Sequence, residues 1–493
     1  MNVLLIYPEC PETFWSFKHA LRFLSKRAGS PPLGLLTVAA MLPKEWNKRL
    51  VDLHVQKLRP TDLEWADMAF VSGMIIQRES AHAAIAKCKK AGLTVVAGGP
   101  LFTMGHEEFP EVDHFVLNEA EMTLQPFLDD LARGEANRVY EDKSFPPIEK
   151  TPVPLWELAD LDRYGWMSVQ YSRGCPHRCD FCNVTTLFGH RPRTKTSAQI
   201  IAELDALYAR GWRSSVFFVD DNFIGKKRDL KTDLLPALIE WQKGKSGIPF
   251  FTEVSIDLAD DDELMSLMHK AGFHMVFIGI ETPDDASLAE CNKRQNRGRD
   301  LVADVKKMQR AGFQVQGGFI VGFDSDTPSI FQRQIDFIQK SGVVMAMVGI
   351  LQALPGTELY RRLQKEGRLA VQPTTGDNVD GTTNIVPRMG MERLSEGYRR
   401  LLLNIYSPKQ YYRRTITFLR EYKTPRIKQR IQWADIKAFL RSNVRLGILG
   451  RERFHYWHMI LWTFFRRPEL LSYAVALAIC GHHLRRTAMD HVK

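Results

Sequence analysis

Short apolar runs alternate with helical segments along most of this chain, and this alternation restricts the possible folds more than any other feature. The first run, NVLLIY at residues 2–7, ends in a proline-containing loop and predicts a buried strand. Similar runs, separated by segments of helical periodicity, continue to about residue 370. A strand, a helix and a second strand in succession form a parallel crossover, so the pattern predicts an α/β protein with parallel sheets.

A proline-rich segment divides this alternation into two series. Residues 145–156, FPPIEKTPVPLW, contain four prolines and predict an extended stretch within a linker at 141–165. The strands before it predict a Rossmann-like, doubly wound domain at 1–140, and those after it predict a partial (β/α)6 barrel at 166–375. A mainly helical, basic region is expected at 376–493. Ligands of both folds bind at the carboxyl ends of the parallel strands.

The composition is that of a globular protein. Of 493 residues, 44% are hydrophobic and 25% are charged, which excludes disordered, collagen-like and coiled-coil chains. No apolar run reaches the ~18 residues that a membrane-spanning helix needs. The first residues, MNVLLIYPEC, lack the basic start and the longer apolar stretch of a signal peptide. We therefore expect a cytoplasmic enzyme.

The basic excess lies in the C-terminal part of the chain. Residues 401–493 contain 18 Lys and Arg against 5 Asp and Glu, whereas the whole chain has a net charge of +10. Apolar stretches follow Phe454, which predicts either a helical cap on the barrel or an interfacial hairpin peripheral to the inner membrane. In the second case four arginines would meet lipid phosphates: Arg466, Arg467, Arg485 and Arg486. Nucleic acid is a disfavoured partner because no known RNA-binding module is present.

Three of the seven cysteines, Cys175, Cys179 and Cys182, form a C-x3-C-x2-C cluster directly after the first predicted barrel strand. Thiolates hold iron–sulfur clusters, and three of them leave one iron of a [4Fe–4S] cluster open to a further ligand. A structural zinc site is the alternative. It needs four protein ligands, and although His177 lies within the loop, no second ligand pair follows. The spacing therefore favours the iron–sulfur cluster.

This loop, with Phe181 before its last cysteine, resembles the radical S-adenosylmethionine (SAM) superfamily. The resemblance implies that the open iron binds SAM and that reduction cleaves SAM to a 5′-deoxyadenosyl radical. It also implies that the backbone of Phe181 contacts adenine and that residues at later strand ends contact SAM. These residues are Asp221, Asn222, Glu253, Ser255, Gly279 and Glu281. The alternative is that such carboxylates only cap the helices that follow them.

Two glycine motifs follow predicted strands of the N-terminal domain, SGM at 72–74 and GGP at 98–100. Glycine allows the backbone to approach a bulky ligand closely. Upstream of a radical SAM barrel, the motifs resemble a cobalamin-binding domain. The contacts that this implies are Pro32, Gly34, Ser72, Gly73, Met74, Gly98, Gly99, Pro100 and Glu119. The D-x-H-x-x-G motif that ligates cobalt is absent after the first strand, and His54 is expected to be structural. A domain that only supports the barrel is the alternative.

Over nearly its full length the sequence resembles class B cobalamin-dependent radical SAM methyltransferases, among them those that act on hopanoids. The resemblance implies a [4Fe–4S] cluster, SAM and cobalamin as cofactors, and an external electron donor of the flavodoxin or ferredoxin type. It implies methylation of an unactivated carbon in an apolar, hopanoid-like small molecule. The alternatives are a cobalamin-dependent radical cyclase or rearrangement enzyme, and a non-catalytic corrinoid-binding protein. No catalytic residue is assigned from the sequence.

Overall fold

A computed structural model describes residues 1–245, 247–370, 374–377, 379–424, 427 and 433–491. In these residues the chain forms two parallel six-stranded sheets, a short antiparallel hairpin and a C-terminal group of helices. The predicted α/β class, with a Rossmann-like sheet followed by a partial six-stranded barrel, is confirmed.

The N-terminal sheet has the strand order β2-β1-β3-β4-β5-β6. Its strands are β1 (Asn2–Tyr7), β2 (Asn47–Asp52), β3 (Met68–Ser72), β4 (Thr94–Gly98), β5 (His114–Val116) and β6 (Val139–Tyr140). Its helices are α1 (Lys18–Leu21), α2 (Leu33–Met41), α3 (Pro60–Trp65), α4 (Arg78–Lys90), α5 (Pro100–Gly105) and α6 (Ala120–Arg133). The strand order reverses at β1 and β3, and such a reversal opens a crevice for ligands at the carboxyl edge.

The second sheet has the order β7-β10-β11-β12-β13-β14 and curves into a partial barrel. The strands of this region are β7 (Met167–Val169), β8 (Ser172–Arg173), β9 (Arg193–Thr194), β10 (Val216–Phe218), β11 (Phe250–Glu253), β12 (Phe273–Glu281), β13 (Gln314–Val321) and β14 (Ala346–Ile350). Its helices are α7 (Val184–Phe188), α8 (Ser197–Ala209), α9 (Lys227–Asp229), α10 (Leu235–Lys243), α11 (Asp262–Ala271), α12 (Asp285–Glu290), α13 (Leu301–Ala311), α14 (Ile330–Ser341) and α15 (Glu358–Lys365). Strands β8 and β9 form the separate antiparallel hairpin.

The C-terminal region is helical, as predicted. It contains α16 (Met391–Ile405), α17 (Pro408–Glu421), α18 (Trp433–Ser442), α19 (Arg453–Arg466) and α20 (Leu471–His491). Helices α16 and α17 pack on α13 and α14 of the barrel, whereas α18 and α20 pack on residues 14–24 of the N-terminal region. Within the part of the chain that the structure describes, no helix is both long enough and apolar enough to cross a bilayer.

Candidate functional site

The cysteine loop leaves β8 through Gly174, whose conformation excludes any larger residue. Gly174 has a φ of 94°. A Cβ atom there would lie 2.9 Å from the carbonyl oxygens of both Phe188 and Gly189. The Cys175 N–H donates to the Gly189 carbonyl (3.3 Å), and the Cys182 N–H donates to the Cys179 carbonyl (3.1 Å). The glycine therefore allows the loop to fold back closely on the chain that follows it.

The three predicted ligands, Cys175, Cys179 and Cys182, are free thiols and are partly exposed on this loop. In the described ranges, only Glu12, His19 and Asp490 bring three possible metal-ligand atoms within 4.8 Å of one another. The thiols are thus spread more widely than the ligands of one zinc ion with Zn–S bonds of about 2.3 Å. A larger inorganic cluster fits this arrangement, and the loop would hold it.

A lysine beside these thiols was not predicted. Lys293 forms a largely buried ion pair with Glu281, with 2.5 Å between Nζ and Oε1, and its Nζ lies 5.9 Å from the ring centroid of Phe181. Burial opposes its charge, but Glu281 and the nearby Cys179 together raise the pKa of Lys293 above its ordinary value. No sequence motif marks this residue, because it joins the site only through the fold.

Two adjacent aspartates after β10 hold the start of the cysteine loop. Asp220 accepts hydrogen bonds from the Tyr171 N–H (3.2 Å) and the Ser172 hydroxyl (2.5 Å), and burial raises its pKa to about 7. Asp221 accepts from the Gly174 N–H at 3.4 Å, and its pKa is raised to about 6, again mainly by burial. The second aspartate, a predicted SAM contact, therefore lies directly beside the loop.

The carboxyl end of β11 brings three further predicted SAM contacts together. The Ser255 N–H donates to Asn222 Oδ1 at 3.1 Å, and Asn222 Nδ2 donates to Ser255 Oγ at 3.2 Å. Glu253 is largely buried, and its carboxylate has no hydrogen-bond or ion-pair partner among the described residues. Burial, followed by repulsion from Asp221 and Asp220, raises its pKa to about 8. An unpartnered acid fits a cationic ligand, and SAM carries ammonium and sulfonium charges.

Gly279 and Glu281 complete the predicted SAM set at the end of β12. A Cβ on Gly279 would collide with the Glu281 carboxylate and would lie 2.6 Å from Lys293 Nζ. Glu281 is buried and has a φ of 62°, which is rare outside glycine and indicates local backbone strain. The absence of a side chain at Gly279 thus leaves room for the Glu281–Lys293 ion pair next to the cysteines.

One cavity of about 1680 Å³ extends from the carboxyl edge of the N-terminal sheet into the barrel. Eight of the nine predicted cobalamin contacts line it, all except Gly73: Pro32, Gly34, Ser72, Met74, Gly98, Gly99, Pro100 and Glu119. Glu253 lines the same cavity. The barrel contributes apolar side chains, among them Phe217, Phe251, Met275, Phe277 and Met345. The cavity is therefore largely apolar and reaches from the predicted cobalamin contacts to Glu253, whereas the three cysteines and the other predicted SAM contacts do not line it.

The end of β4 carries Gly98 and Gly99 and is called the glycine edge. It fits a large ligand with polar substituents. A Cβ on Gly98 would lie 2.6 Å from the Val116 carbonyl oxygen, and Gly99 has a φ of 86°. Bare backbone therefore faces the cavity at both positions. Asn118 also lines the cavity, and its buried Oδ1 has no hydrogen-bond partner. These features match a cobalamin with its amide-bearing periphery.

Among the described residues that line the cavity, the one histidine is His274 of the barrel. The N-terminal domain therefore contributes no histidine to this lining that could ligate cobalt. His54 Nδ1 lies 2.8 Å from Asp52 Oδ1, and the Cys10 N–H donates to His54 Nε2 at 2.9 Å. Both ring nitrogens of His54 are therefore engaged within the protein. This agrees with the structural role expected for His54.

Four charged residues join the two domains beside the cysteine loop. Arg173 Nη1 lies 2.7 Å from Glu119, and Arg173 Nη2 lies 2.9 Å from Glu121. Arg193 Nη2 lies 2.6 Å from the other oxygen of Glu119. Glu119 lines the cavity as expected for a cobalamin contact, but its carboxylate is engaged by both arginines. Sequence reasoning missed these arginines because their partners are more than 50 residues away.

Two of the four arginines expected to meet lipid phosphates are engaged inside the protein, which corrects that prediction. Arg467 donates to the backbone carbonyls of Leu419 and Tyr422 at 3.0 and 2.9 Å. Arg485 is largely buried and pairs with Glu452 at 3.0 Å. Burying an unpaired charge is costly, so the fold uses these guanidinium groups for internal contacts. Arg466 and Arg486 remain exposed.

Comparison with known proteins adds two family matches and several relatives. The radical SAM superfamily matches residues 169–338, and a domain of unknown function, DUF4070, matches residues 357–493. An uncharacterised methyltransferase of Synechocystis sp. is 38% identical over 98% of this chain and 91% of its own length. The hopanoid C-2 methylase of Rhodopseudomonas palustris is 33% identical over 98% of this chain and 93% of its own length.

Solved structures share the fold at low sequence identity. The radical SAM methyltransferase TsrM from Kitasatospora setae has a TM-score of 0.58 and 16% identity, and the match covers 76% of this chain and 77% of TsrM. The cobalamin-dependent SAM radical enzyme OxsB, solved with aqua-cobalamin and SAM bound, has a TM-score of 0.60 and 17% identity. That match covers 100% of this chain and 84% of OxsB.

Proposed function

Because the chain belongs to the cobalamin-dependent radical SAM family, we propose that it methylates an unactivated carbon of an apolar, hopanoid-like lipid. The observation that carries this proposal is the single cavity that joins the glycine edge of the N-terminal sheet to the apolar barrel interior. A methyl donor at one wall and a hydrogen-abstracting group at the other would then reach the same substrate carbon. Aromatic and methionine side chains between them fit a hydrocarbon skeleton.

The family uses a [4Fe–4S] cluster, SAM and cobalamin, and the residues present fit all three. Cys175, Cys179 and Cys182 would hold the cluster, the unpartnered Glu253 would meet the positive charge of SAM, and the glycine edge would receive cobalamin. When bound, these groups supply the reductive cleavage of SAM and the carriage of the methyl group.

The protein's own residues position these groups and exclude water. Asp220 and Asp221 fix the entry to the cysteine loop through the Tyr171, Ser172 and Gly174 contacts described above. Lys293 places a positive charge beside the thiols, which lowers the energetic cost of gathering negative charge there, and Glu281 offsets part of this effect. Phe217 and Phe251 stack at 4.7 Å between ring centroids inside the barrel and present an apolar surface to the substrate.

The decisive experiment follows the methyl group of SAM. The anaerobically reconstituted enzyme is incubated with a reductant, SAM bearing a deuterated methyl group, and a hopanoid hydrocarbon dispersed in detergent. We expect a methylated product that carries the label, together with 5′-deoxyadenosine, and no product from the Cys179→Ala variant. 5′-Deoxyadenosine with an altered but unlabelled product would instead indicate a rearrangement or cyclisation. Absence of 5′-deoxyadenosine would contradict the proposal altogether.

Lipid profiling of a deletion strain tests the substrate class independently. Loss of a methylated hopanoid would support the proposed substrate. An unchanged lipid profile in a strain that normally makes such lipids would direct the search to a soluble natural product.

The proposal includes two partners. An electron donor of the flavodoxin or ferredoxin type would reduce the cluster, which is tested by replacing the chemical reductant with such a protein and its reductase. The second partner is the inner face of the membrane, which supplies the lipid. The excess of 18 basic over 5 acidic residues in 401–493 supports contact with anionic headgroups there.

A further inference from the structure

Helix α19 is apolar on two opposite faces. Its inward face packs Tyr456, Met459, Ile460 and Thr463 against the protein, and these side chains are buried. Its outward face exposes five large apolar side chains that recur along one stripe: Phe454, Trp457, Leu461, Phe464 and Phe465. A helix at an ordinary protein–water surface would carry polar residues on that side. The outward stripe therefore requires a separate explanation.

The apolar surface continues over the turn that connects α18 to α19. Leu449 and Phe454 are each 75% exposed, and Ile448 and Val444 are exposed beside them. Together with the outward stripe they form one surface, called here the hairpin surface. Contiguous exposed apolar areas of this kind mark sites of interaction with membranes or with other proteins.

Charge identifies the kind of partner. Residues 433–468, from the start of α18, contain seven Lys and Arg against two acidic residues, Asp435 and Glu452. Glu452 is 5% exposed and pairs inward with Arg485, so it contributes no negative charge to the outer surface. Arg445, Arg451 and Arg453 are exposed near the turn. Apolar side chains ringed by cations are the combination that inserts into an anionic lipid interface.

The hairpin is held firmly in place. Arg441 Nη1 donates to the Phe23 carbonyl at 2.9 Å and to Ser25 Oγ at 2.8 Å, which attaches α18 to the N-terminal region. Trp457 Nε1 donates to the Gly447 carbonyl at 2.9 Å, which ties α19 to the turn. The hairpin surface is therefore formed before any partner binds.

Helix α18 of the same hairpin reaches the cavity. Ile436 and Phe439 of α18 are 40% and 37% exposed, and both also line the cavity. A lipid lying against α18 would thus pass from outer surface to inner cavity along apolar side chains. Two exposed carboxylates also line the cavity, Asp435 beside Ile436 and Glu469, and Glu469 pairs with Arg467.

We propose that the α18–α19 hairpin inserts shallowly into an anionic bilayer and opens the cavity mouth toward the acyl chains, so that the substrate enters from the membrane. The identity of that substrate rests on the proposed function, but the docking itself does not require turnover.

Flotation of the full-length protein with vesicles tests the docking. The vesicles contain either phosphatidylcholine alone or phosphatidylcholine with phosphatidylglycerol, at low and high salt. We expect binding to the anionic vesicles at low salt and at least tenfold weaker binding for the double variant Leu449→Asp/Phe454→Asp. The matched control, Met122→Asp/Val386→Asp, alters exposed apolar residues elsewhere and should bind as the wild type does. Thermal unfolding checks that each variant is folded.

A second pair of variants isolates the charge contribution. Arg451→Glu/Arg453→Glu should lose most of the preference for anionic vesicles, whereas Lys87→Glu/Lys90→Glu on α4 should retain it. The proposal would be overturned if the wild type did not float with anionic vesicles. It would also be overturned if the Leu449→Asp/Phe454→Asp variant floated as well as the wild type. A third outcome would also overturn the proposal: the wild type binds no vesicles but self-associates, and Leu449→Asp/Phe454→Asp abolishes the self-association. The surface would then be assigned to contact with a second copy of the chain.

Photo-crosslinking tests the position of the mouth. Benzoylphenylalanine is placed at 439, at 454 or, as a control, at 122, and the protein is irradiated on anionic vesicles. Lipid adducts are expected at 439 and 454 but not at 122. Adducts at 454 alone would overturn entry beside α18. Vesicle binding with these adducts, but without methylated product in the turnover assay, would contradict the proposed function while leaving the docking intact.

Discussion

Gly174 is the residue on which formation of the cysteine loop depends most directly. Replacing it with alanine would combine a disfavoured φ of 94° with contacts of 2.9 Å to two backbone oxygens that cannot move aside. We expect Gly174→Ala to lose cluster incorporation, measured as iron and sulfide after anaerobic reconstitution. Gly211→Ala is the control, because Gly211 has a φ of 86° but open space around it. It should cost ~1–2 kcal/mol and retain the iron. Equal iron content in both variants would contradict this interpretation.

Lys293 and Glu281 should be energetically coupled. Removing the lysine leaves a buried carboxylate without a cation, so Lys293→Met should lower the free energy of unfolding by ~3–5 kcal/mol. Adding Glu281→Gln to Lys293→Met should recover part of that loss. The coupling is measured by a double-mutant cycle, from the free energies of unfolding of the apoproteins in urea. Lys243→Met breaks the exposed Lys243–Glu240 pair and should cost less than ~1 kcal/mol. Strict additivity of the Lys293 and Glu281 substitutions would rule out the coupling.

Glu253 should make the stability of the apoprotein depend on pH. Its folded-state pKa of about 8 lies above the ordinary 4.5, so the folded protein binds this proton more tightly than the unfolded chain does. Stability is then lost as pH rises from about 4.5 through about 8. Glu253→Gln should remove this loss, of the order of 4 kcal/mol at pH 8, in urea unfolding across that range. Parallel pH profiles for the two proteins would contradict the raised pKa.

At the scale of elements, the Arg173–Arg193–Glu119–Glu121 group couples the N-terminal sheet to the β8–β9 hairpin. Arg193→Met removes one of the two cations on Glu119 and should destabilise the contact between the domains by ~2–3 kcal/mol. Calorimetry should then show the thermal transition broadening or separating into two. Arg210→Met breaks the exposed Arg210–Glu157 pair and should leave the transition nearly unchanged. A single transition of unaltered shape in Arg193→Met would show that the group does not couple the domains.

The sequence predicts the elements whose signals are local. Strands such as β1 and β14 are mainly continuous apolar runs, and the cysteine spacing lies within eight residues, so both could be read directly. Strand β6 and the β8–β9 hairpin were missed because two-residue strands have no periodicity. Lys293, Arg173 and Arg193 were missed because each acquires its role from partners brought near by the fold. Arg485 was misjudged for the same reason, since its partner Glu452 lies 33 residues earlier, at the start of α19.

At the scale of the whole molecule, the cysteine loop and the glycine edge of the N-terminal sheet are built from separate residues, and only Glu253 of the predicted SAM contacts lines the cavity that the glycine edge borders. The triple variant Cys175→Ala/Cys179→Ala/Cys182→Ala should therefore lose the iron and sulfide, about four of each per chain, and all SAM cleavage. It should still bind cobalamin, because the glycine edge does not depend on these thiols. Metal analysis and the visible spectrum of bound corrinoid would show both results. Retention of the full iron content would refute the ligand assignment.

Substrate entry beside Ile436 and Phe439, as proposed above, would also determine which concentration governs the reaction rate. A substrate taken from the bilayer is counted as a mole fraction among lipids and not as an amount per volume of solution. Adding inert vesicle lipid at constant total substrate would then slow turnover, although the bulk concentration is unchanged. Growing cells dilute the same substrate when they expand their membrane, so methylation would follow membrane composition without any dedicated regulatory site.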